Sequence, residues 1–192
     1  TFSTADGITH VCRAGFAEVN LRKWYYNMST PAREDGRLKG LTATKCGPDD
    51  VITRAMLVQV LYRMSGSKAA STAQFTDVAD GKWYAEAIAW ASENGIVNGF
   101  TDGRFQPDTL ITRQQLAAIL YRYDTYRGHT PQGSAALDGY ADAASVESWA
   151  AEAMSWANGN GLVTGVTPTT LVPNGTATRA QVAVILSRYT DQ

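Results

Sequence analysis

Three arginines of this sequence each follow a threonine within the same recurring string. The copies read VITRAMLVQVLYR from Val51, LITRQQLAAILYR from Leu110 and TATRAQVAVILSR from Thr176. An arginine at a helix start places a planar, permanently charged guanidinium beside free backbone amides and the positive end of the helix dipole, and these groups suit a carboxylate. The sequence therefore predicts a repeated anion-binding site. Its central residues are Arg54, Arg113 and Arg179.

The threonines that precede these arginines predict helix N-caps, because a threonine hydroxyl can accept hydrogen bonds from the exposed amides of the first turn. Gln115 and Gln181 lie three residues after Thr112 and Thr178, which predicts two capping boxes. Met56 takes that place in the first copy, so the first cap is half made. We also count Thr112 and Thr178 among the ligand-binding residues.

The recurring string belongs to a larger unit that occurs three times. We place the units at 10–66, 73–128 and 137–192, joined by segments rich in Ser, Gly, Thr and Ala. Each unit predicts a helix, a loop and a second helix, whose apolar residues form one stripe with the spacing i, i+3, i+4, i+7. Three equivalent stripes are most simply buried against each other. The sequence therefore predicts a mainly α-helical fold, with a central three-helix bundle of pseudo-threefold symmetry and the first helices outside it.

The first unit departs from the other two in its first half. Pro31 stands where they have Trp90 and Trp156, which we expect to pack in the middle of a helix, and proline usually breaks a helix. This unit also holds both cysteines, Cys12 and Cys46. Two interpretations stay open: a Cys12–Cys46 disulfide, or two free thiols with Cys46 as a small core residue.

Each candidate side chain has an ordinary structural role beside its functional one. An arginine near a helix start is usually a solvated charge or half of an ion pair, but three equivalent arginines favour ligand contact. Asp77 and Asp142 are candidates to line the ligand site, although such a residue more often caps a helix or holds a turn. Trp83 and Trp149 sit at helix starts, where core packing is more frequent than a role as a platform for a sugar ring.

Composition excludes several classes of function. The chain has 192 residues, 44% of them apolar, and a net charge of −1. It lacks a basic tract for nucleic acid, and no apolar stretch approaches the roughly 18 residues of a membrane span. His10 and His129 have no partner at a recognisable spacing, and TDGR from Thr101 lacks the ligand pattern of a calcium loop. We expect no nucleic-acid binding, membrane insertion, catalytic residue, cofactor or metal site.

The recurring motifs resemble the S-layer homology domain family. The matching features are an F-x-D opening, a Trp-Tyr pair, the loop G-x-x-x-G-x-x-x-x-x-F-x-P and the helix start I-T-R-x-x. The second unit shows all of them, the third matches nearly as well, and the first matches well only from Pro48 onward. The matching residues of the second unit are Phe75, Asp77, Trp83, Gly95, Gly99, Phe105, Pro107, Thr112 and Arg113.

The resemblance implies a fold and a function. Triplets of this family fold as a three-pronged spindle and anchor exported proteins to the bacterial cell wall without a covalent bond, so the implied location is extracellular. They bind glycan in grooves between neighbouring units, usually a secondary cell-wall polysaccharide with anionic pyruvate ketals and in some bacteria a modified peptidoglycan. Gly99 and Gly165 would let loop amides approach the ligand, although they are first of all turn residues. Other surface-layer subunits are further candidate partners.

Three alternatives stay beside this interpretation. The family's best-known helix start is T-R-A-E, whereas this chain has TRAM, TRQQ and TRAQ, so the number of working grooves is open. The chain is alternatively a degenerate scaffold that binds protein partners, or the anchoring part of a larger surface enzyme such as a glycoside hydrolase. A start at Thr1, without a signal peptide, is expected of a processed protein or an excised part of a longer one. A catalytic role for these residues themselves has no credible candidate.

Overall fold

The computed structural model describes residues 2–3, 9–10, 48–69, 71 and 75–191. This part of the chain is mainly α-helical, which confirms the predicted fold class. Two short strands, β1 (Phe2–Ser3) and β2 (Thr9–His10), pair antiparallel. The 3-10 turns Ala143–Ser145 and Ser148–Ala150 lead into the fourth helix. The helices are α1 (Arg54–Ser65), α2 (Ala85–Glu93), α3 (Arg113–Tyr126), α4 (Ala151–Gly159) and α5 (Arg179–Thr190).

These helices fall where the repeat predicts them. Helix α1 is the second helix of the first unit, α2 and α3 belong to the second unit, and α4 and α5 belong to the third. The predictions for Cys12, Pro31 and Cys46 lie outside the described residues. Within the described ranges, no helix has the length and apolar character needed to cross a membrane.

The predicted N-caps are present at the start of each second helix. The hydroxyls of Thr112 and Thr178 each accept from the amide three residues later at 3.3 Å. The side-chain oxygens of Gln115 and Gln181 accept from the amides of Thr112 and Thr178 at 3.3 and 3.0 Å. Both predicted capping boxes are therefore confirmed. The Thr53 cap also forms, but a methionine at the third helical position cannot complete the box.

Glycines end the first helices as predicted. Gly95 and Gly161 adopt φ values of 67° and 66°, the left-handed conformation that glycine enters without a Cβ clash. The amides of Ile96 and Leu162 then turn back to helix carbonyls at 2.8 Å, the pattern of a left-handed C-terminal cap. This turn directs the following loop away from the helix axis and toward the start of the neighbouring unit's second helix.

In the first and second units, the second helix packs along the first helix of the next unit. Helix α1 lies along α2, and α3 lies along α4. The mid-helix tryptophans are buried, as predicted, and each contacts a tyrosine from the preceding unit. Tyr62 and Trp90 have ring centroids 5.4 Å apart, and Tyr121 and Trp156 have theirs 5.5 Å apart. Consecutive units are therefore interlocked through their cores rather than strung along linkers.

Backbone hydrogen bonds connect the three units in cyclic order. The first amide of α1 donates to Thr109 O, that of α3 to Gly175 O and that of α5 to Asp50 O, each at 2.9 Å. The second amide of each helix donates to the carbonyl of a recurring proline, at 2.9–3.0 Å. These prolines are Pro107, Pro173 and Pro48. Each proline loop thus receives the helix of its neighbour, while the complete spindle around a three-helix bundle stays a prediction.

Helices α3 and α5 meet through aromatic and polar side chains. The rings of Tyr123 and Tyr189 have centroids 5.9 Å apart, and the Tyr189 hydroxyl donates to Asp124 Oδ1 at 2.8 Å. Nδ1 of His129 lies 2.7 Å from the same carboxylate oxygen. His129 therefore has a partner that its sequence spacing did not indicate, because the turn after α3 brings it back over the end of its own helix.

Candidate ligand-binding site at the unit junctions

At the first junction, between the first and second units, Arg54 is buried and tightly oriented. Only 6% of its surface is exposed, and its Nε donates to Phe105 O at 3.0 Å. Its guanidinium carbon lies 4.8 Å from the ring centre of Phe100 and 4.7 Å from that of Phe105. Burial lowers the pKa of Arg54 to about 10, Asp77 opposes that shift and Arg122 adds to it. The group stays cationic at neutral pH.

At the second junction, between the second and third units, Arg113 takes the equivalent place. It is 7% exposed, and its Nε donates to Leu171 O at 2.9 Å. Its Nη2 also donates to Thr164 O, a contact without a counterpart at Arg54 among the described residues. Burial lowers the pKa of Arg113, and the negative charge of Asp142 opposes the shift.

Arg179 is also buried at the start of α5, with 3% of its surface exposed. All three predicted arginines are therefore buried. They do not have the ordinary role of a solvated surface charge. Burial of a cation requires polar partners, and at the two junctions described above the neighbouring unit's carbonyls supply them.

The structure corrects one part of the predicted anion site. The first two amides of each second helix are bonded to carbonyls of the neighbouring loop, and the third is bonded to the threonine cap. These amides were expected to help hold a carboxylate, and that expectation is wrong. An anion at a junction would therefore depend on side chains, and direct ligand contact by Thr112 or Thr178 stays a prediction.

Asp77 and Asp142 hold the proline loops. Both oxygens of Asp77 accept backbone amides, from Phe105 at 2.8 Å and Gln106 at 2.7 Å. Asp142 accepts in the same way from the amides of Leu171 and Val172, both at 2.7 Å, and these bonds lower its pKa. Both aspartates thus have the structural role of holding a turn. Their direct contact with a ligand stays a prediction.

The second loop residue bound by each aspartate, Gln106 or Val172, adopts an unusual backbone conformation. Gln106 has φ 59° and Val172 has φ 53°, the left-handed region that a β-branched residue rarely enters. This turn directs the carbonyl of the following proline at the neighbouring helix start. This conformation could not be predicted from residue type, because neither residue is a glycine or an asparagine.

One peptide in each loop connects the two conspicuous motifs of the sequence. The amide of Phe105 donates to Asp77, and its carbonyl accepts from Arg54 of the preceding unit. Leu171 is held in the same way by Asp142 and Arg113. The F-x-D aspartate and the Thr-Arg arginine therefore bind the same residue, one through its amide and the other through its carbonyl. A recurring spacing was visible in the sequence, but the partner shared by both motifs was not.

Trp83 and Trp149 are exposed, although a tryptophan at a helix start more often packs in the core. Their exposed fractions are 57% and 50%, and the Trp83 ring meets Tyr84 edge-on at 5.1 Å. An exposed indole offers a flat apolar face of the kind on which a sugar ring stacks. The structure brings them to the surface, while their contact with a ligand stays a prediction.

Gly99 and Gly165 occupy places with no room for a side chain. A Cβ on Gly99 would lie 2.6 Å from Arg104 O, and one on Gly165 would lie 2.6 Å from a ring carbon of Tyr140. Both glycines therefore serve close packing of the loop first of all. No group of His, Cys, Asp and Glu within the described residues has an arrangement that could hold a metal ion.

Two ranges of the chain match the model of a known protein family. The model of the S-layer homology domain matches residues 74–117 and 139–183, in the second and third units. The chain is 32% identical over 152 residues to an amylopullulanase of Thermoanaerobacterium thermosulfurigenes, covering 78% of this chain and 8% of that protein. It is 32% identical over 156 residues to the surface-layer 125 kDa protein of Lysinibacillus sphaericus, covering 80% and 13%. A cellulosome-anchoring protein of Acetivibrio thermocellus is 27% identical over 157 residues, covering 79% and 34%.

Proposed function

We propose that this chain, which carries S-layer homology domains in its second and third units, anchors an exported protein to the bacterial cell wall without a covalent bond. Its ligand is an anionic glycan, a secondary cell-wall polysaccharide bearing pyruvate ketals or a peptidoglycan-linked glycan, bound in grooves at the unit junctions. The observation that carries the proposal is the buried, oriented guanidinium at the first and second junctions, Arg54 and Arg113.

Burial makes these arginines suited to a carboxylate. A guanidinium fixed by its Nε keeps its outer edge in one direction, so less conformational entropy is lost when a ligand binds. The low polarity of the surroundings strengthens its attraction for an anion relative to water. A pyruvate ketal supplies one carboxylate on a compact ring, which matches one cation per junction.

Exposed aromatic residues complete the proposed grooves. Trp83 and Trp149 offer stacking faces, and Phe100 has 37% of its surface exposed beside Arg54. Sugar rings have an apolar face that stacks on such side chains, while the carboxylate is held by the cation. Asp77 and Asp142 keep the loops in shape and, in this proposal, line the grooves.

The anchoring role fits a part of a longer protein. The chain spans between 8% and 34% of the length of the three relatives above, which are named as an enzyme, a surface-layer protein and an anchoring protein. We therefore place the chain outside the cell at the wall, as the non-catalytic anchoring part of a surface enzyme or a surface-layer subunit. Other surface-layer subunits are proposed as further partners.

Cosedimentation with purified cell walls tests this function. Walls whose polysaccharide carries pyruvate ketals are compared with the same walls after mild acid has removed the ketals. The proposal predicts that the chain pellets with the first and stays in solution with the second. Equal binding to both walls would contradict an anionic glycan, and binding to neither would contradict wall anchoring and favour a scaffold for protein partners.

A further inference from the structure

Asparagine directly followed by glycine recurs in the loops and helix ends of this chain. The sequence holds five such pairs, all within the part that the structure describes. The pairs are Asn94-Gly95, Asn98-Gly99, Asn158-Gly159, Asn160-Gly161 and Asn174-Gly175. A glycine amide can reach the side-chain carbonyl carbon of the preceding asparagine, because glycine has no Cβ to obstruct the approach. Each pair is therefore chemically able to lose the side-chain amide by deamidation.

Four of the five pairs are held by hydrogen bonds. Each of these asparagine side chains makes a bond of 2.6–3.0 Å to another residue, and the four are Asn94, Asn158, Asn160 and Asn174. The amides of the following glycines donate to nearby carbonyls at 3.0–3.1 Å or, at Gly159, lie within helix α4. Both reacting groups of these pairs are thus engaged, so the structure must open locally before they react.

The pair Asn98-Gly99 lacks both restraints. Asn98 is exposed, and neither its side chain nor the Gly99 amide makes a hydrogen bond within the described part of the chain. In the third unit the equivalent amide, that of Gly165, donates to the Tyr140 hydroxyl at 3.3 Å. Phe75 stands in the place of Tyr140, with its ring against Gly99, but it has no hydroxyl. The Gly99 amide therefore lacks the acceptor that restrains its counterpart.

The loop around Gly99 has no room for a longer backbone. A Cβ on Gly99 would lie 2.6 Å from Arg104 O, which also accepts from the amide of Phe100 at 2.7 Å. The ring of Phe100 lies 4.8 Å from the guanidinium carbon of Arg54. An extra main-chain atom beside Gly99 would therefore disturb the turn that carries this contact of the first junction.

We propose that Asn98 is a site of spontaneous deamidation, the most reactive asparagine of the described chain, and that its isoaspartate product destabilises the first-junction loop. The Gly99 nitrogen loses its proton to solvent and forms a bond to Cγ of Asn98. The bond from Cγ to Nδ2 then breaks, and Nδ2 takes up a proton from water and leaves as ammonia. The product of this step is a cyclic imide.

Water opens the imide at one of its two carbonyls. Attack at Cγ breaks the new bond to the Gly99 nitrogen and leaves an ordinary aspartate. Attack at the backbone carbonyl breaks the original peptide bond, so that the chain runs through the former side chain and gains one methylene. Both products carry a carboxylate in place of a neutral amide, but only the isoaspartate lengthens the main chain.

Peptide mapping by mass spectrometry tests the site. The whole chain is incubated in mildly alkaline buffer, and fragment spectra locate each exchange of NH2 for OH. We expect Asn98 to convert about tenfold faster or more than each of the other four asparagines, since two hydrogen bonds of each must open first. Conversion at any other pair that is equally fast or faster would overturn the assignment.

The same measurement in urea shows whether the folded structure sets the difference. All five asparagines precede glycine, so their rates should converge once the hydrogen bonds that distinguish them are lost. If Asn98 keeps its lead in the unfolded chain, the free Gly99 amide is not the cause.

Two substitutions take their side chains from the third unit. Phe75→Tyr supplies the hydroxyl that Tyr140 provides there, and should slow conversion of Asn98 by about threefold or more, since it restores one hydrogen bond to the attacking amide. An unchanged rate in a folded Phe75→Tyr chain would contradict the role of that amide. Asn98→Thr introduces the equivalent residue, Thr164, and removes the reacting group.

Melting temperatures test the effect on the loop. The isoaspartate form, separated from the incubated chain by ion exchange, should melt below the fresh chain. Asn98→Asp adds the charge without the extra methylene and should melt like the fresh chain, and incubated Asn98→Thr should be unaltered. An isoaspartate form that melts with the fresh chain would overturn the proposed destabilisation. None of these outcomes depends on glycan binding.

Discussion

The two hydrogen bonds by which Asp77, or Asp142 in the third unit, accepts two amides of a proline loop form an aspartate clamp. Replacing Asp77 by asparagine is a small change that we expect to lower stability substantially. Asp77→Asn preserves the shape of the side chain and one acceptor oxygen, but places an NH2 group against one of the two loop amides. In the native chain both oxygens accept from amides, at 2.8 and 2.7 Å, and one of the donor amides belongs to Phe105, a fully buried residue.

The expected size follows from these two bonds. A hydrogen bond to a charged group contributes about 1.5–3 kcal/mol, and a buried donor left without a partner costs about 1–3 kcal/mol. The asparagine keeps one weaker bond and leaves one amide unpaired, so we expect Asp77→Asn to reduce the free energy of unfolding by about 2–3 kcal/mol. For a chain of this length that loss lowers the melting temperature by about 5–10 °C.

Urea unfolding followed by tryptophan fluorescence and far-ultraviolet circular dichroism measures the loss. Asp80→Asn is the matched control, because Asp80 is exposed three residues later and its side chain makes no hydrogen bond or ion pair within the described chain. The midpoint should fall for Asp77→Asn with an unchanged denaturant slope, and the control should stay within about 0.5 kcal/mol of the native chain. If the urea midpoint of Asp77→Asn equals that of the Asp80→Asn control, the claim that Asp77 stabilises the loop is refuted.

Three further predictions concern the same loops. Val172→Asn should raise the free energy of unfolding by about 1 kcal/mol, because asparagine tolerates the left-handed conformation better than valine; a lower urea midpoint would contradict this. The pKa of Asp142 is lowered on folding, so its contribution is fully present above its usual value of 3.8 and is lost as the pH falls below it. Native chain and Asp142→Asn should therefore converge in stability during acid titration below about pH 4, and a constant difference would argue against the ionised clamp. Gly165→Ala should destabilise by about 1–3 kcal/mol, since its Cβ would meet the Tyr140 ring, whereas Gly139→Ala, which adds a Cβ in open space, should melt like the native chain.

Local features of this chain could be predicted from its sequence. The threonine caps, the two capping boxes and the glycine turns depend on residues within one helical turn of each other, so their types and spacing carry the signal. Trp90 and Trp156 lie in the middle of apolar periodic segments, and both are buried as predicted.

Features that depend on another unit could not be predicted in the same way. An apolar stripe shows which face of a helix is buried, but not whether its partner helix lies in the same unit or in the next. For the same reason the first-turn amides of α1 were expected to be free, although Thr109 and Pro107 of the next unit bind them. Trp83 occupies a helix start whose exposure is set by tertiary packing, so its sequence position did not reveal it.

The candidate site was predicted in part. The sequence identified Arg54 and Arg113, which the structure shows to be buried at unit junctions. It did not identify Phe100, because the contact of this ring with Arg54 comes from the loop of the second unit.

One titration tests the central claim most directly. The unsubstituted chain is titrated in a calorimeter with a terminal sugar that carries a 4,6-pyruvate ketal, and in parallel with the same sugar without the ketal. The account predicts saturable binding of the pyruvylated sugar, weakened by added salt, and no measurable binding of the neutral one. Equal affinity for the two sugars, or none for either from a folded chain, would contradict anchoring through an anionic glycan.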